Sequence, residues 1–234
     1  MAFGFEATNN DGKVTISSAM PLVEFVGKCV NQGEVPGQYD VMLNNVANVT
    51  QFATPYIASG RTPYFFVYYP IGCLVVHIKS VNVGGGVWIL QVVCSGGTPE
   101  VYCFATKQRA ESGETHGLRV RDADGSLIFD SGWQANSLLR IKEVYNYNPG
   151  YTLTTTSAKP AFFYHNAGKS MAFIGTPFDP EYLLFGFGLR RTAANSYVRE
   201  AAYLARVYAD GPGTIEIPDN TTQTISIIDG ADYD

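Results

Sequence analysis

The most informative segment of this chain is Gly117-Leu-Arg-Val-Arg-Asp-Ala-Asp-Gly-Ser-Leu-Ile-Phe-Asp-Ser-Gly-Trp133. Two short runs of alternating apolar residues flank its central Asp124-Gly125 pair. Asp-Gly between such runs is a strong signal for a tight turn, because Gly adopts a positive φ without steric cost and Asp tolerates it better than most residues. The segment therefore predicts a β-hairpin over residues 117–131, with Asp124 and Gly125 as the turn residues.

A related segment, Gly4-Phe-Glu-Ala-Thr-Asn-Asn-Asp-Gly-Lys-Val-Thr-Ile-Ser-Ser-Ala-Met20, occurs 113 positions earlier. It predicts a second hairpin over residues 4–18, with Asp11 and Gly12 in the turn. Because short hairpin motifs also align by chance, two interpretations stay open. Either each copy begins one β-rich unit, over residues 1–112 and 113–234, or the chain forms a single domain.

The rest of the chain repeats the same alternation of β-prone runs and turn residues. Such runs occupy residues 64–69, 73–81, 87–94, 100–106, 117–121, 126–129, 138–145, 161–164, 171–174, 182–189, 214–217 and 224–228. Gly, Pro and Asn separate most of them, and this spacing is typical of antiparallel sandwiches and barrels. We expect an all-β fold of one or two β-sandwich-like units built from antiparallel hairpins.

Three segments are less regular. Residues 193–209 contain good helix formers but also alternate as a strand does, and the neighbouring strands favour a strand near the segment's end. Residues 19–61 predict a long loop or a linker that carries short strands. The final segment, 229–234, has the composition of an acidic, solvated tail.

Composition indicates a surface with little charge. Charged residues make up 16% of the chain and aromatic residues 13%, while 46% of the residues are hydrophobic. Interface cores are depleted in charge and enriched in aromatic residues, so this composition favours a protein that neighbours partly cover. A Tyr-rich monomeric β-sandwich is the open alternative. Trp88 and Trp133 are the candidate anchors of the core or of an interface.

The net charge argues against one class of ligand, and the first residues indicate where the protein is made. The net charge of −5, without a long basic run, argues against binding to DNA or RNA through phosphates. The first residues have neither a basic start nor an apolar core of signal-peptide length, and no window approaches the length of a membrane span. We expect synthesis in the cytoplasm and no membrane insertion.

The four cysteines, Cys29, Cys73, Cys94 and Cys103, contain no Cys-x-x-Cys pair that would suggest a zinc site. Runs 87–93 and 100–106 predict a hairpin that would bring Cys94 opposite Cys103. A disulfide between them is compatible with that hairpin, but reduced thiols are favoured in a cytoplasmic product. No metal and no cofactor is expected.

Candidate catalytic residues are few. The three histidines, His77, His116 and His165, lack neighbours in sequence that would activate them, and Ser170 lies in a segment that only approximates a nucleophile elbow. Asp124 and Asp130 belong to an acidic hairpin that turn formation explains more simply than calcium binding. We expect a protein that is not an enzyme, with a hydrolase site assembled in space as a remote alternative.

With both hairpins identified, the chain resembles the small β-rich tail-tip, baseplate and fibre proteins of tailed bacteriophages. The resemblance rests on the first seven residues, Met1-Ala-Phe-Gly-Phe-Glu-Ala7, and on the phrase from Gly117 to Ser131, and it covers about thirty residues. It implies a non-enzymatic structural component of the virion, made in the host cytoplasm and located in the distal tail.

The same resemblance implies partners. These are other tail proteins, further copies of the chain in a trimer or hexamer, and a glycan or protein on the host surface. Two other functions remain open. One is a carbohydrate-binding β-sandwich module, because exposed Tyr and Trp side chains on a sandwich can stack on sugar rings. The other is a capsid-decorating protein.

Overall fold

The computed structural model of the chain describes residues 6–8, 14–17, 23–36, 43–44, 48–57, 62–106, 115–116, 118–121, 127–130, 138–147, 152–164, 169–173, 181–208 and 223–234. Within these residues the regular structure consists of nineteen β-strands and one short 3-10 helix, Gly230–Tyr233. The prediction of an all-β fold is therefore confirmed.

The strands follow one another in chain order as β1 (Glu6–Thr8), β2 (Val14–Ser17), β3 (Val23–Lys28), β4 (Val30–Pro36), β5 (Leu43–Asn44), β6 (Asn48–Ala53), β7 (Tyr64–Tyr68), β8 (Leu74–Gly84), β9 (Val87–Ser95), β10 (Glu100–Thr106), β11 (Arg119–Arg121), β12 (Leu127–Asp130), β13 (Glu143–Tyr147), β14 (Thr152–Thr154), β15 (Pro160–Tyr164), β16 (Lys169–Phe173), β17 (Glu181–Ala193), β18 (Ser196–Tyr208) and β19 (Gln223–Asp229).

Two large antiparallel sheets form the sandwich. The six-stranded sheet has the order β13-β19-β15-β7-β10-β3. The nine-stranded sheet has the order β14-β18-β17-β8-β9-β6-β4, with β16 added on β17 and β5 on β18. Side chains from both sheets share one hydrophobic core, which shows that the sheets pack face to face.

Strand β10 shows why several strands read as continuous apolar runs. Val101 and Cys103 point into the core between the sheets, whereas Tyr102 and Phe104 belong to a second cluster on the outer face of the six-stranded sheet. All four side chains are 1% exposed or less. Because both faces of the strand are covered, its sequence loses the alternation of polar and apolar residues that a half-exposed strand shows.

The end of the chain covers this outer face. The Tyr233 ring contacts Phe104 at 4.9 Å and Phe25 at 5.3 Å between ring centres. The Tyr233 hydroxyl donates to the carbonyl of Leu138 at 2.8 Å, and the Asp229 side chain caps the 3-10 helix by accepting from the Ala231 amide. The prediction of a solvated acidic tail over 229–234 is therefore wrong, because an aromatic ring near its end is buried against the sheet.

Both large sheets take strands from both sides of the boundary expected at residues 112 and 113. In the six-stranded sheet β7 pairs with β15, and in the nine-stranded sheet β8 pairs with β17. These pairings are what the single-domain interpretation requires. The irregular region 19–61 contributes β3, β4, β5 and β6 to the two sheets.

The two segments that suggested an internal repeat each form an antiparallel strand pair. Strand β1 pairs with β2, with Ala7 opposite Ile16, and strand β11 pairs with β12, with Val120 opposite Phe129. The predicted turn residues Asp11, Gly12, Asp124 and Gly125 lie outside the described residues.

The hairpin predicted from runs 87–93 and 100–106 is wrong. Strand β9 pairs with β8 and β6 in one sheet, whereas β10 pairs with β7 and β3 in the other. Gly96 and Gly97 adopt positive φ values where the chain crosses between the sheets, and a Cβ on Gly97 would lie 2.7 Å from the Pro70 ring. Such close approaches need glycine, so the turn residues here mark a crossing and not a hairpin.

The four cysteines are free thiols. Cys103 lies against Cys29, and this contact together with burial raises the pKa of the Cys29 thiol. Cys94 lies in the other sheet and contacts the Thr50 hydroxyl at 3.0 Å. Cys94 and Cys103 therefore do not face each other across a hairpin, and the disulfide that the sequence left open between them is not formed.

Segment 193–209 is a strand over most of its length. Strand β18 pairs with β17 from the Ala193–Ser196 pair to the Glu181–Tyr208 pair. The preference for a strand is confirmed, since helix propensity in this segment is outweighed by pairing with a long neighbouring strand.

Candidate functional site

A pocket of about 270 Å³ opens between the two sheets. Strands β7 and β15 of the six-stranded sheet supply its aromatic residues. Phe65 and Tyr164 come from the face toward the core, and Tyr64 and Phe163 come from the outer face. Strands β8 and β9 of the other sheet supply Val75 and Leu90, which are fully buried. Pockets of this kind, apolar with a few polar groups, are where proteins most often bind small ligands.

The lining residues with polar side-chain groups are Thr62, His77, Ser80, Tyr64 and Tyr164. A β-bulge between His77 and Lys79 explains how two of them share one face. His77 lies opposite Val92 and Ser80 opposite Leu90, and both of those partners point into the inter-sheet core. Without the extra residue at the bulge, two side chains three positions apart would point to opposite faces.

Beside the pocket, two buried tyrosines form a hydroxyl pair. The hydroxyl oxygens of Tyr69 and Tyr164 lie 3.1 Å apart. Burial, and then the neighbouring Tyr164, raise the pKa of Tyr69 well above its ordinary value, which keeps this hydroxyl protonated and uncharged. Among the described residues that line the pocket, none is Asp, Glu, Lys or Arg.

Among the candidate catalytic residues that the structure describes, His77 lines this pocket and the others do not. His116 is exposed, and its Nδ1 lies 2.9 Å from the Thr115 hydroxyl. Ser170 lies on β16 opposite Phe185, and His165 falls outside the described residues.

The candidate anchor Trp88 is half-buried and packs against the inter-sheet core. Its backbone amide donates to the Thr54 hydroxyl at 2.9 Å. Trp133 lies outside the described residues. Asp130 of the acidic hairpin is buried, and its carboxylate accepts a hydrogen bond from the Arg119 side chain at 3.0 Å.

Sequence reasoning missed a lysine–carboxylate cluster formed by Lys28, Glu100, Lys159 and Asp234. Lys28 Nζ lies 2.7 Å from Glu100 and 2.6 Å from Asp234, and Lys159 Nζ lies 3.0 Å and 2.8 Å from the same two residues. Burial alone would raise the pKa of Asp234, but hydrogen bonds from Lys159 and Lys28 lower it to about 2. The cluster fixes the end of the chain to β3 and β10.

A second missed feature is the buried side chain of Arg191 on β17. Its guanidinium donates to the Tyr69 carbonyl at 3.0 Å, to the Ala194 carbonyl at 2.6 Å and to the Tyr68 hydroxyl at 2.8 Å. It also lies 5.0 Å from the centre of the Tyr68 ring. Arg191 therefore connects the β17–β18 turn to the end of β7 by hydrogen bonds. No sequence motif indicates this structural role.

Where edge strand β13 meets the end of β14, the Glu143 carboxylate accepts hydrogen bonds from Tyr145, Thr155, Thr156 and Ser157. It accepts from the Tyr145 hydroxyl at 2.5 Å, the Thr155 hydroxyl at 2.8 Å, and the Thr156 amide and hydroxyl at 3.0 Å and 2.8 Å. Burial alone would raise the pKa of Glu143, but these donors lower it to about 2. The run Thr154-Thr-Thr-Ser157 was the available sequence signal, because it concentrates hydroxyl donors.

We expect Glu143→Gln to destabilise the fold by about 1–3 kcal/mol at neutral pH, since it weakens charge-assisted hydrogen bonds between the two sheets. The pKa is lowered in the folded state, so this stabilisation is complete above the unfolded pKa of about 4.3 and is lost as the pH falls toward 2. Urea denaturation of both proteins from pH 7 to pH 2.5 measures it. The exposed Glu34→Gln variant is the control, and a difference that stays constant with pH would contradict the assignment.

A third surface feature is the projecting hairpin, residues 80–88, at the end of the β8–β9 pair. Gly84, Gly85 and Gly86 all have positive φ and form its turn. Residues 81–85 are exposed in succession, so both faces of the ribbon meet solvent. The triglycine run between two β-prone runs was the sequence signal for it.

One aromatic ring supports the projecting hairpin from the side. A Cβ on Gly86 would lie 2.6 Å from the Tyr56 ring, and the Ile57 amide donates to the Gly86 carbonyl at 2.7 Å. Tyr56 nevertheless remains 69% exposed. The hairpin and Tyr56 thus place three exposed hydrophobic side chains, Tyr56, Val81 and Val83, on one part of the surface.

Within the described part of the chain, no group of three or more His, Cys, Asp or Glu side chains is arranged to hold a metal ion. The helical structure found in those residues is also too short and insufficiently apolar to cross a bilayer. Comparison of the chain with protein-family models, with curated proteins and with solved structures gave no match.

Proposed function

We propose that the protein is a non-enzymatic structural component of a bacteriophage virion, located in the distal tail as part of the tip, baseplate or fibre and contributing to host attachment. The resemblance of its two hairpin segments to tail proteins suggests this role. The observation that carries the proposal in the structure is the projecting hairpin, an exposed apolar ribbon of the kind that assembly proteins use for contacts with neighbours.

The exposures of its side chains support a contact role. Val83 is 59% exposed and Val81 is 37% exposed, and the exposed Tyr56 ring lies against Gly86 in the turn of the same hairpin. Residues 80–88 contain no charged side chain. A partner can therefore cover this ribbon without removing a charge from water, which is a costly step in most interfaces.

The occupant we propose for this surface is a second copy of the chain. A ring-shaped trimer or hexamer places the same ribbon against the same acceptor surface of each neighbour, so that every copy is covered once. Such closed assemblies match the three-fold and six-fold symmetry expected of tail components.

Two measurements test the proposal. Peptides of the protein should be found by mass spectrometry in purified particles of the phage that encodes it, and antibodies should label the distal tail in electron micrographs. Light scattering after size-exclusion chromatography should give a trimer or hexamer whose mass does not change on dilution. Absence from purified particles would refute the virion role.

A matched pair of variants tests the surface. Val83→Asp should shift the assembly toward monomer, because it places a charge in the covered ribbon. Val144→Asp, at a side chain that is 61% exposed on edge strand β13, should leave the mass unchanged. If both variants lower the mass of the assembly equally, or if neither variant changes it, the projecting hairpin is not the contact.

The exposed Tyr56 ring also favours the second candidate function, a carbohydrate-binding module, because sugars stack on such rings. A monomeric protein that binds a glycan array, and loses that binding with Tyr56→Ala, would favour the module over the assembly protein.

A further inference from the structure

We propose that the pocket between the sheets is a binding site for a small, uncharged aromatic molecule of about two fused rings that carries one hydrogen-bonding group. Ser80, the first residue of the projecting hairpin, also lines this pocket, but the proposal does not depend on a role in the virion.

The volume of the pocket sets the size of the guest. An apolar cavity of about 150 Å³ stays dry and binds benzene. Pockets that bind drug-sized ligands have volumes of about 300 Å³ or more. The pocket measures about 270 Å³, between these limits. A molecule of two fused rings fits this range, whereas a single ring would leave much of the wall without contacts.

The residues that line the pocket favour an aromatic ligand and indicate where that ligand enters. Phe65 and Tyr164 are less than 8% exposed and offer ring surface at depth, while Val75 and Leu90 close the inner end. Tyr64 is 41% exposed and lies at the mouth. A planar aromatic ligand gains binding free energy from contacts with several ring faces and edges, in addition to the gain from the apolar area that it buries.

The polar groups select a neutral guest with one donor or acceptor. His77 and Ser80 share the pocket face because of the bulge in β8, and they can meet one polar group on the ligand. The described lining residues include no acidic or basic side chain other than His77. A permanently charged ligand would lose its hydration without gaining an ion partner, which is unfavourable.

Isothermal titration calorimetry with 2-naphthol tests the proposal, and 2-naphthalenesulfonate serves as the charged counterpart with the same rings. We expect one saturable site per chain for 2-naphthol and binding of the sulfonate that is weaker by about tenfold or more. Absence of saturable 2-naphthol binding, or equal binding of the two probes, would overturn the proposal.

Paired variants locate the site. Ser80→Phe places a ring inside the pocket and should weaken 2-naphthol binding by about tenfold or more. Ser95→Phe makes the same substitution at an exposed position on β9 and should have no effect. Circular dichroism checks the folding of both, and Ser80→Val is the smaller replacement if Ser80→Phe does not fold. Unchanged binding in a folded Ser80 variant would refute the assignment to this pocket.

Discussion

Gly188→Ala is expected to abolish the native fold. Gly188 lies on β17 where that strand meets β8, and a Cβ at this position would overlap the Val75 carbonyl oxygen and lie 2.7 Å from its carbonyl carbon. Backbone atoms of a paired strand cannot turn away as a flexible side chain can. We expect a loss of more than about 4 kcal/mol, beyond the usual range for single substitutions.

The location makes the effect global. Strands β17 and β8 are joined through only two residue pairs, Leu189 with Val75 and Arg190 with Leu74. Separation of these strands would divide the nine-stranded sheet and open the core beneath it.

Gly186→Ala is the matched control, two residues earlier on the same strand. A Cβ there would meet side-chain atoms, Val76 Cγ1 at 2.6 Å and Leu204 Cδ1 at 2.9 Å, which can adjust their positions. We expect a cost of about 1–3 kcal/mol, typical of overpacking. Circular dichroism and urea denaturation of the purified variants compare them. A Gly188→Ala protein as stable as Gly186→Ala would contradict the prediction, because the backbone of β8 would then accommodate the added Cβ.

Phe162→Ala should produce the second largest effect, a loss of about 3–5 kcal/mol. Phe162 is completely buried, and its ring lies 4.6 Å from the Tyr197 ring and 5.5 Å from the Tyr69 ring. It also forms the pair with Val67 that joins β15 to β7. The cavity left by alanine would therefore lie at the centre of the sandwich, where the neighbouring rings cannot collapse into it.

The adjacent Phe163→Ala provides the comparison. Phe163 is half-buried on the outer face of the same strand and contacts the Phe66 ring at 5.5 Å. Because the Phe163 side chain buries less area, we expect Phe163→Ala to lower the free energy of unfolding by less than half as much as Phe162→Ala does. Thermal and urea denaturation measure both values, and equal losses would mean that the outer face stabilises the fold as strongly as the inter-sheet core.

The strands themselves could be predicted from the sequence more readily than their partners. Runs of apolar and β-branched residues identify β8, β9 and β10, but they do not show which strands lie side by side. Ser95-Gly-Gly-Thr-Pro99 has the composition of a hairpin turn, yet the chain uses it to cross from one sheet to the other. Deciding between the two needs the contact of Gly97 with Pro70, which is a tertiary fact.

The same limit applies to the site. His77 was visible as a candidate residue, but Tyr64, Phe65 and Tyr164 reach the pocket through pairing and packing between distant strands. The acidic composition of residues 229–234 does not predict their burial, because Asp234 contacts Lys28 and Lys159, which are far from it in sequence. Charge partners of this kind leave no local pattern.

The position of β19 has a consequence for how the protein folds. It is among the last segments of the described chain, yet it lies inside the six-stranded sheet, between β13 and β15. A nascent chain that has not yet made residues 223–229 leaves both neighbours with unpaired edges, and such edges promote aggregation. Completion of the sheet must therefore wait until residues 223–229 have been made, and the many pairings between distant segments predict slow, cooperative folding.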